Sequence, residues 1–169
     1  MADPDGLERL WAPYRMAYVR QAGEANPTGC PFCAMVAGDQ QTDLIVVRGE
    51  HCFVAMNLFP YNPGHLMVLP NRHESDLTEL TAAESAELTA LTQQSIRAIR
   101  EVSSPHGFNV GLNLGEVAGG SISAHLHQHV VPRWGGDANF MTVVGRTKTL
   151  PQTIAETADL LRAAWNEVG

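Results

Sequence analysis

The sequence predicts an α+β domain: a largely antiparallel sheet of about five strands, with one long helix packed on it and further helices toward both ends. Three observations carry this prediction. Short apolar runs over 44–47, 52–57 and 65–69 are joined only by tight turns, Gly49-Glu50 and the cluster Pro60-Tyr61-Asn62-Pro63-Gly64. One long amphipathic stretch over 82–102 opens with Thr81-x-x-Glu84, a capping box, and then repeats Leu88, Leu91, Ile99 and Val102 at helical spacing. The order along the chain is strands, helix, strands, helix.

Leu7, Leu10, Trp11, Tyr14 and Tyr18 predict an N-terminal helix over 6–20, which Pro13 divides into two pieces. Pro27-Thr28-Gly29 is a loop. Residues 1–28 therefore read as a helical extension with a linker, and 29–169 as the domain with its C-terminal helix. Cys33 to Val36 form a helical turn that Gly38 ends. Strands follow over 44–47 and 52–57, then from His65 to Leu69, where Pro70 stops the run. After the long helix come strands from Phe108 to Leu114, from His125 to Val131, and a short one from Phe140 to Val144. Pro151 suits the first turn of a last helix, whose apolar face is Ile154, Ala158, Leu161, Trp165 and Val168. The sequence shows no internal repeat and no low-complexity segment.

The 169 residues fit one domain, and 11 basic against 18 acidic residues give a formal charge of −7. An acidic chain argues against non-specific nucleic-acid binding, yet it leaves room for a small anion held by local groups. No apolar run reaches the roughly 18 residues of a membrane span. The N-terminus, MADPDGLERL, has no basic residue before Arg9 and no apolar stretch behind it, which predicts no secretory signal and a cytoplasmic location.

Three cysteines cannot build a disulfide framework. Cys30 and Cys33 form C-P-F-C, which admits three readings: half of a zinc site, two inert thiols, or a redox pair. A redox pair belongs at a strand-to-helix junction, and the upstream QAGEANPTG is linker-like. A zinc site would need two further ligands, for which histidines are the natural choice. Cys52 stands alone and reads as a small buried hydrophobe.

Of seven histidines, His125, His127 and His129 form H-L-H-Q-H, followed by Val130 and Val131. On a strand this alternation puts three imidazoles on one face, about 6–7 Å apart. Three titratable rings make a poor core, so the pattern points to a histidine nucleophile with histidine helpers or to a metal site. Before it runs Gly115-Glu116-Val117-Ala118-Gly119-Gly120-Ser121, whose glycine amides and serine hydroxyl suit phosphate oxygens, although no G-K-[ST] of a Walker loop follows. His65 reads as a satisfied strand residue, and His51 and His106 as surface turn residues.

The run H-L-H-Q-H-V-V-P-R (125–133), with A-G-G-S before it and N-P-G-H-L-M-V-L-P (62–70) upstream, resembles the histidine triad (HIT) superfamily of nucleotidyl hydrolases and transferases. The flanking L-W-A-P-Y-R-M-A-Y (10–18), N-L-F-P-Y-N-P-G-H (57–65) and H-V-V-P-R-W-G-G-D-A-N-F (129–140) are similar to its actinobacterial diadenosine tetraphosphate phosphorylase branch. The resemblance implies a HIT-like fold and phosphorolysis of dinucleoside polyphosphates through a covalent nucleotidyl-histidine, with His127 as nucleophile. It implies that His129 contacts the transferring phosphoryl oxygens and that His125 orients the strand or binds metal. Asn57 falls where relatives bind ribose hydroxyls, and Asn113, Gly120 and Ser121 where they hold phosphates. Trp134 would border substrate or inorganic phosphate. C-P-F-C resembles the zinc-bearing branch, which implies a structural zinc on Cys30, Cys33, His73 and His125. The partners implied are a nucleotide substrate, inorganic phosphate, and a second copy of the chain through the sheet edge and long helix.

Two positions depart from the family pattern. Many hydrolytic relatives carry Gln where this chain has Ser121, and the shorter side chain leaves space for phosphate as the second acceptor. Gln128 replaces an apolar residue and should point to the opposite sheet face. With few formal positive charges at the site, divalent cations (Mg or Mn) arriving with the substrate would screen the remaining charge. Two alternatives keep the same pocket: a HIT-type nucleotide hydrolase or phosphoramidase, and a non-catalytic zinc-stabilised nucleotide-binding module.

Overall fold

The structure is a computed structural model, and it describes residues 29–39, 41–118, 122–137, 144–145 and 149–168. The helix expected over 6–20 and all of the strand expected over 140–144 except Val144 lie outside these residues; Val144 is in a turn. Three helices and one sheet make up the described fold. Helix α1 (Pro31–Ala37) starts with Pro31 at its first position, where a missing N–H costs nothing, and ends at Gly38, whose φ of 88° is left-handed. Helix α2 (Ala82–Ser103) opens with the predicted capping box, Thr81 accepting from Glu84 N–H while the Glu84 carboxylate accepts from Thr81 N–H. Helix α3 is Ile154–Glu167 and starts later than Pro151 suggested. A second capping box, Thr153 with Glu156, sets its start, so Pro151 lies in the lead-in turn.

Strands β1 (Ile45–Arg48), β2 (Cys52–Met56), β3 (Leu66–Pro70), β4 (Gly107–Leu112) and β5 (Gln128–Arg133) form one five-stranded sheet of order β1-β2-β3-β5-β4. Every neighbouring pair is antiparallel. Directly paired residues share a face, so Leu66, Val68, Gln128 and Val130 lie on one side and Met67, His129 and Gly111 on the other. Helix α2 covers the first side, and α1 packs its Phe32 against His125 and His127 just ahead of β5. Helix α3 lies beside α2 and β1, where Arg162 Nε donates to Ile45 O at 3.0 Å and its Nη2 donates to Asp43 O. The core between these layers is continuous, from Phe53, Val54 and Met56 through Leu66 and Val68 to Leu88, Ile99 and Leu161.

Glu87 of α2 closes the β1–β2 turn by accepting three backbone N–H bonds, from Glu50 (2.9 Å), His51 (2.5 Å) and Cys52 (2.7 Å). A Cβ at Gly49 would lie 2.5 Å from Glu87 Oε1 and 2.9 Å from Cys52 O, so only glycine fits this turn. Cys52 is the buried hydrophobe expected, with no exposed surface. Among the described residues, no helix is long and apolar enough to cross a membrane.

Candidate active site

The H-L-H-Q-H segment is only half strand. β5 begins at Gln128, and its register with β3 starts at Val68↔Gln128. His125, Leu126 and His127 precede the ladder, a correction to the strand expected from His125. The physical reason is that their polar groups are anchored elsewhere. Leu126 N–H donates to Glu74 O at 2.6 Å, and His125 Nε2 lies 2.9 Å from Pro70 O. The three rings therefore do not form one evenly spaced row. His127 and His129 meet edge to face at 5.0 Å between centroids, while His125 turns toward α1 and His73.

Each triad ring has one nitrogen bound to a fixed partner, and this sets its tautomer. Pro70 O can only accept, so His125 donates from Nε2 and leaves Nδ1 bare. That Nδ1 faces Cys30 Sγ at 3.4 Å and Cys33 Sγ at 3.6 Å. His73 Nδ1 lies 3.2 Å from Cys33 Sγ. One ligand atom from each of Cys30, Cys33, His73 and His125 lies within 4.8 Å of the others. Cys30 is the N-cap of α1 and Cys33 sits one turn on, which presents both thiols from one helix end. Two thiols and two imidazoles around one point can hold a metal ion, and the set is closed to other ligands. Burial first, and then Cys30 beside it, push the Cys33 thiol up to about 11, a penalty that a bound cation reverses.

His127 Nδ1 lies 2.8 Å from His125 O and must donate to it. Its Nε2 therefore carries a lone pair and no proton. Burial holds its pKa below the ordinary histidine value, against the opposing pull of that carbonyl bond, so the ring stays neutral. Phe32, between the two cysteines, packs its ring 5.5 Å from His125 and 5.4 Å from His127.

His129 is fixed by His65. His65 is fully buried, and its Nδ1 accepts from Tyr61 N–H at 3.0 Å. Its Nε2 must then donate to His129 Nδ1, 2.9 Å away. A neutral His129 accordingly carries its proton on Nε2, and Asn113 Nδ2, also a donor, lies 3.4 Å away and does not accept it. Burial pushes His65 down to about 3 and His129 to about 4, with neighbouring triad rings adding to both shifts. The satisfied reading of His65 holds, but it is no bystander. The signal available in the sequence was its place directly after the Pro60–Gly64 turn cluster, which brings the Tyr61 amide to its ring.

A cleft of about 420 Å³ opens beside His129, lined by Tyr61, Asn109, Gly111, Asn113, Val131 and Arg133. The site thus combines a bare nitrogen on His127, a donor on His129 and an open path along β4 and β5, next to a closed metal-ligand set. The HIT domain family profile matches residues 39–136. The chain belongs to the HIT family. It is 52% identical over 168 residues to a Mycobacterium tuberculosis protein named AP-4-A phosphorylase, covering 95% of this chain and 86% of that protein. A Zn-bound histidine triad family protein from Mycobacterium smegmatis matches with a TM-score of 0.69 at 31% identity, covering 83% of this chain and 95% of the other. A crystal structure of a HIT family member from Bacillus subtilis matches with a TM-score of 0.60 at 32% identity, over 64% of this chain and 75% of that one.

Of the expected HIT site residues, Asn113 stands beside His129 and Asn57 beside His65. The Asn57 side chain spans the β2–β3 connection, accepting from Phe59 N–H at 3.0 Å and approaching His65 Nδ1 at 3.3 Å. Asn113 stands just past β4, which ends at Leu112, and lines the cleft. Gly120 and Ser121 lie outside the described residues. The structure does not bring Trp134 to the triad. Its indole N–H donates to Ser103 O at the end of α2, 3.3 Å away, and it lines a separate cleft with Pro151 and Leu161. Gln128 points to the face opposite His129, as alternation requires, and donates to Thr92 Oγ1 at 2.7 Å. Thr92 in turn donates to Leu88 O, so this polar departure from the HIT pattern is satisfied within the α2 interface. His106 accepts from Gly135 N–H at 2.8 Å and serves the turn after β5.

Proposed function

We propose that this HIT protein is a nucleotidyltransferase that phosphorolyses diadenosine tetraphosphate and related dinucleoside polyphosphates to ADP and ATP. The single observation that carries the chemistry is the His125 O bond to His127 Nδ1, which bares Nε2 at neutral pH. The Nε2 lone pair attacks the α-phosphorus, the bond to the bridging oxygen breaks, and ATP departs from the tetraphosphate. An oxygen of inorganic phosphate then attacks the same phosphorus, the N–P bond breaks, and ADP leaves with His127 restored. The His129 Nε2 proton bonds a phosphoryl oxygen through both steps, where negative charge accumulates. Asn113, Gly120 and Ser121 hold the phosphate chain, and Asn57 takes the ribose. The short side chain of Ser121 favours phosphate over water as the acceptor. The 52% identity to the M. tuberculosis protein named AP-4-A phosphorylase supports the choice of substrate.

Cys30, Cys33, His73 and His125 hold zinc in this reading, and the donor chemistry is that of a structural site. Zinc supplies a fixed electrostatic tie for His125, whose carbonyl orients His127. Mg or Mn travels with the polyphosphate. The outer edge of β4, with Val110 and the nearby Leu114 each 45% exposed, supports at least a homodimer. The protein acts in the cytoplasm.

Incubation with diadenosine tetraphosphate, with and without phosphate, tests the reaction. The expected products are ADP and ATP in a phosphate-dependent reaction. AMP and ATP formed equally fast without phosphate would make the protein a hydrolase instead.

A further inference from the structure

The nucleophile sits on backbone outside the sheet, so something other than the β ladder must hold it. The anchor is the strap that follows β3, residues 71–80. Its two consecutive residues His73 and Glu74 meet the two consecutive residues His125 and Leu126. The His73 ring joins the metal-ligand set that includes His125, and Glu74 O accepts from Leu126 N–H at 2.6 Å. The strap contains only one short 3₁₀ turn, Leu77–Glu79, and no sheet pairing beyond Pro70. Asn71 ties its start to the β1–β2 turn, and Arg72 ties it to α2. Arg72 Nε donates to Glu84 Oε1 at 3.0 Å and Nη2 to Glu84 Oε2 at 3.1 Å, a fork-to-fork pair. The same guanidinium donates to Glu74 Oε2 at 2.9 Å and to Glu79 O at 2.9 Å. Glu84 is itself locked into the capping box of α2, and its carboxylate accepts from Thr81 N–H at 2.8 Å. The chain of fixed groups therefore runs from the N-terminus of α2 through Arg72 and the strap to the backbone between His125 and His127.

We propose that Arg72 is a positioning residue for His127, tying the strap to the N-terminus of α2 so that Glu74 O holds the backbone carrying the nucleophilic ring. The proposal rests on the reading of His127 as nucleophile. It needs a planar fork with several donors, so lysine cannot replace Arg72 fully.

The test compares Arg72→Met, Arg72→Lys and, as a control, Arg162→Met, which also loses hydrogen bonds to backbone carbonyls, far from the strap. For Arg72→Met, kcat should fall about 10-fold to 100-fold with KM held within about twofold, because the ring is displaced and substrate binding is not. Arg72→Lys should fall between the two. Arg162→Met should lower the melting temperature and keep kcat. Histidine-ring ¹⁵N–¹H spectra of the zinc-loaded proteins give a readout independent of turnover, and the His127 Nδ1–H signal should shift in Arg72→Met but stay in place in Arg162→Met. An Arg72→Met protein with wild-type kcat and an unmoved His127 signal would overturn the proposal. A wild-type protein that makes no phosphate-dependent products, while Arg72→Met still moves the signal, would support the positioning role and reject the phosphorylase reading.

Discussion

His125 and His129 flank His127 but are held by different means. At the His125 end, four side chains from three separate segments converge on one point that could hold a metal ion. At the His129 end no ion is needed. A relay of neutral groups, Tyr61 N–H to His65 to His129, sets one proton on His129 Nε2. The first end fixes position and the second fixes protonation. His127 needs both, because its carbonyl partner belongs to His125 and its ring packs against His129.

The largest effect should come from the group that both ends serve. His127→Ala should lower kcat by at least about 10⁴-fold and abolish the covalent nucleotidyl adduct, followed by intact mass after substrate mixing. The second break is confined to the relay. His65→Leu leaves Tyr61 N–H and His129 Nδ1 without their partner, which should cost about 1–3 kcal/mol of stability. It should also lower kcat by about 100-fold while zinc content is unchanged, a separation that metal analysis and steady-state kinetics read together. At the other end, Cys33→Ser should lose zinc and lower the melting temperature, with kcat reduced by about 10-fold, because Pro70 O and Glu74 O still hold the segment.

Acid separates the ends further. Burial keeps His65 at about 3 and His129 at about 4, so both stay neutral in the folded chain while the unfolded chain protonates them below about 6.5. Stability should therefore be unaffected by these rings above pH 6.5 and should fall steadily from there toward pH 4. Denaturant midpoints measured in Cys33→Ser isolate this slope from metal loss, and a flat midpoint between pH 6.5 and 5 would contradict the relay. The smallest effect belongs to Gln128→Leu. Thr92 keeps its bond to Leu88 O, so stability should change by under about 1 kcal/mol and kcat by less than twofold.

Much of this was legible in the sequence where a local rule decides structure. Thr81-x-x-Glu84 marked the start of α2, the turn residues separated β1, β2 and β3, and alternation placed Gln128 opposite His129. The same Thr-x-x-Glu rule holds at Thr153 and Glu156 and marks the start of α3 two residues after Pro151. The grouping of Cys30, Cys33, His73 and His125 followed from family resemblance, since C-P-F-C by itself left three readings open. What stayed hidden was set by contacts distant in sequence. Alternation of three histidines looks like strand, but the strand begins only where β3 can pair with it, and the strap captures the rest. His65 reads as core because burial and function coincide in one ring. Trp134 follows the triad closely in sequence, yet the turn after β5 carries it to α2.

Cys52 has a practical consequence. Burial, followed by the nearby Glu87 and Glu84 charges, pushes its thiol up to about 12, and none of its surface is exposed. Thiol reagents act on the ionised, accessible form. In the folded protein such a reagent meets only Cys30 and Cys33, both partly exposed. A chromogenic thiol titration therefore counts two sulfurs in the metal-free protein and none where both are ligated, and the chain carries its own occupancy gauge.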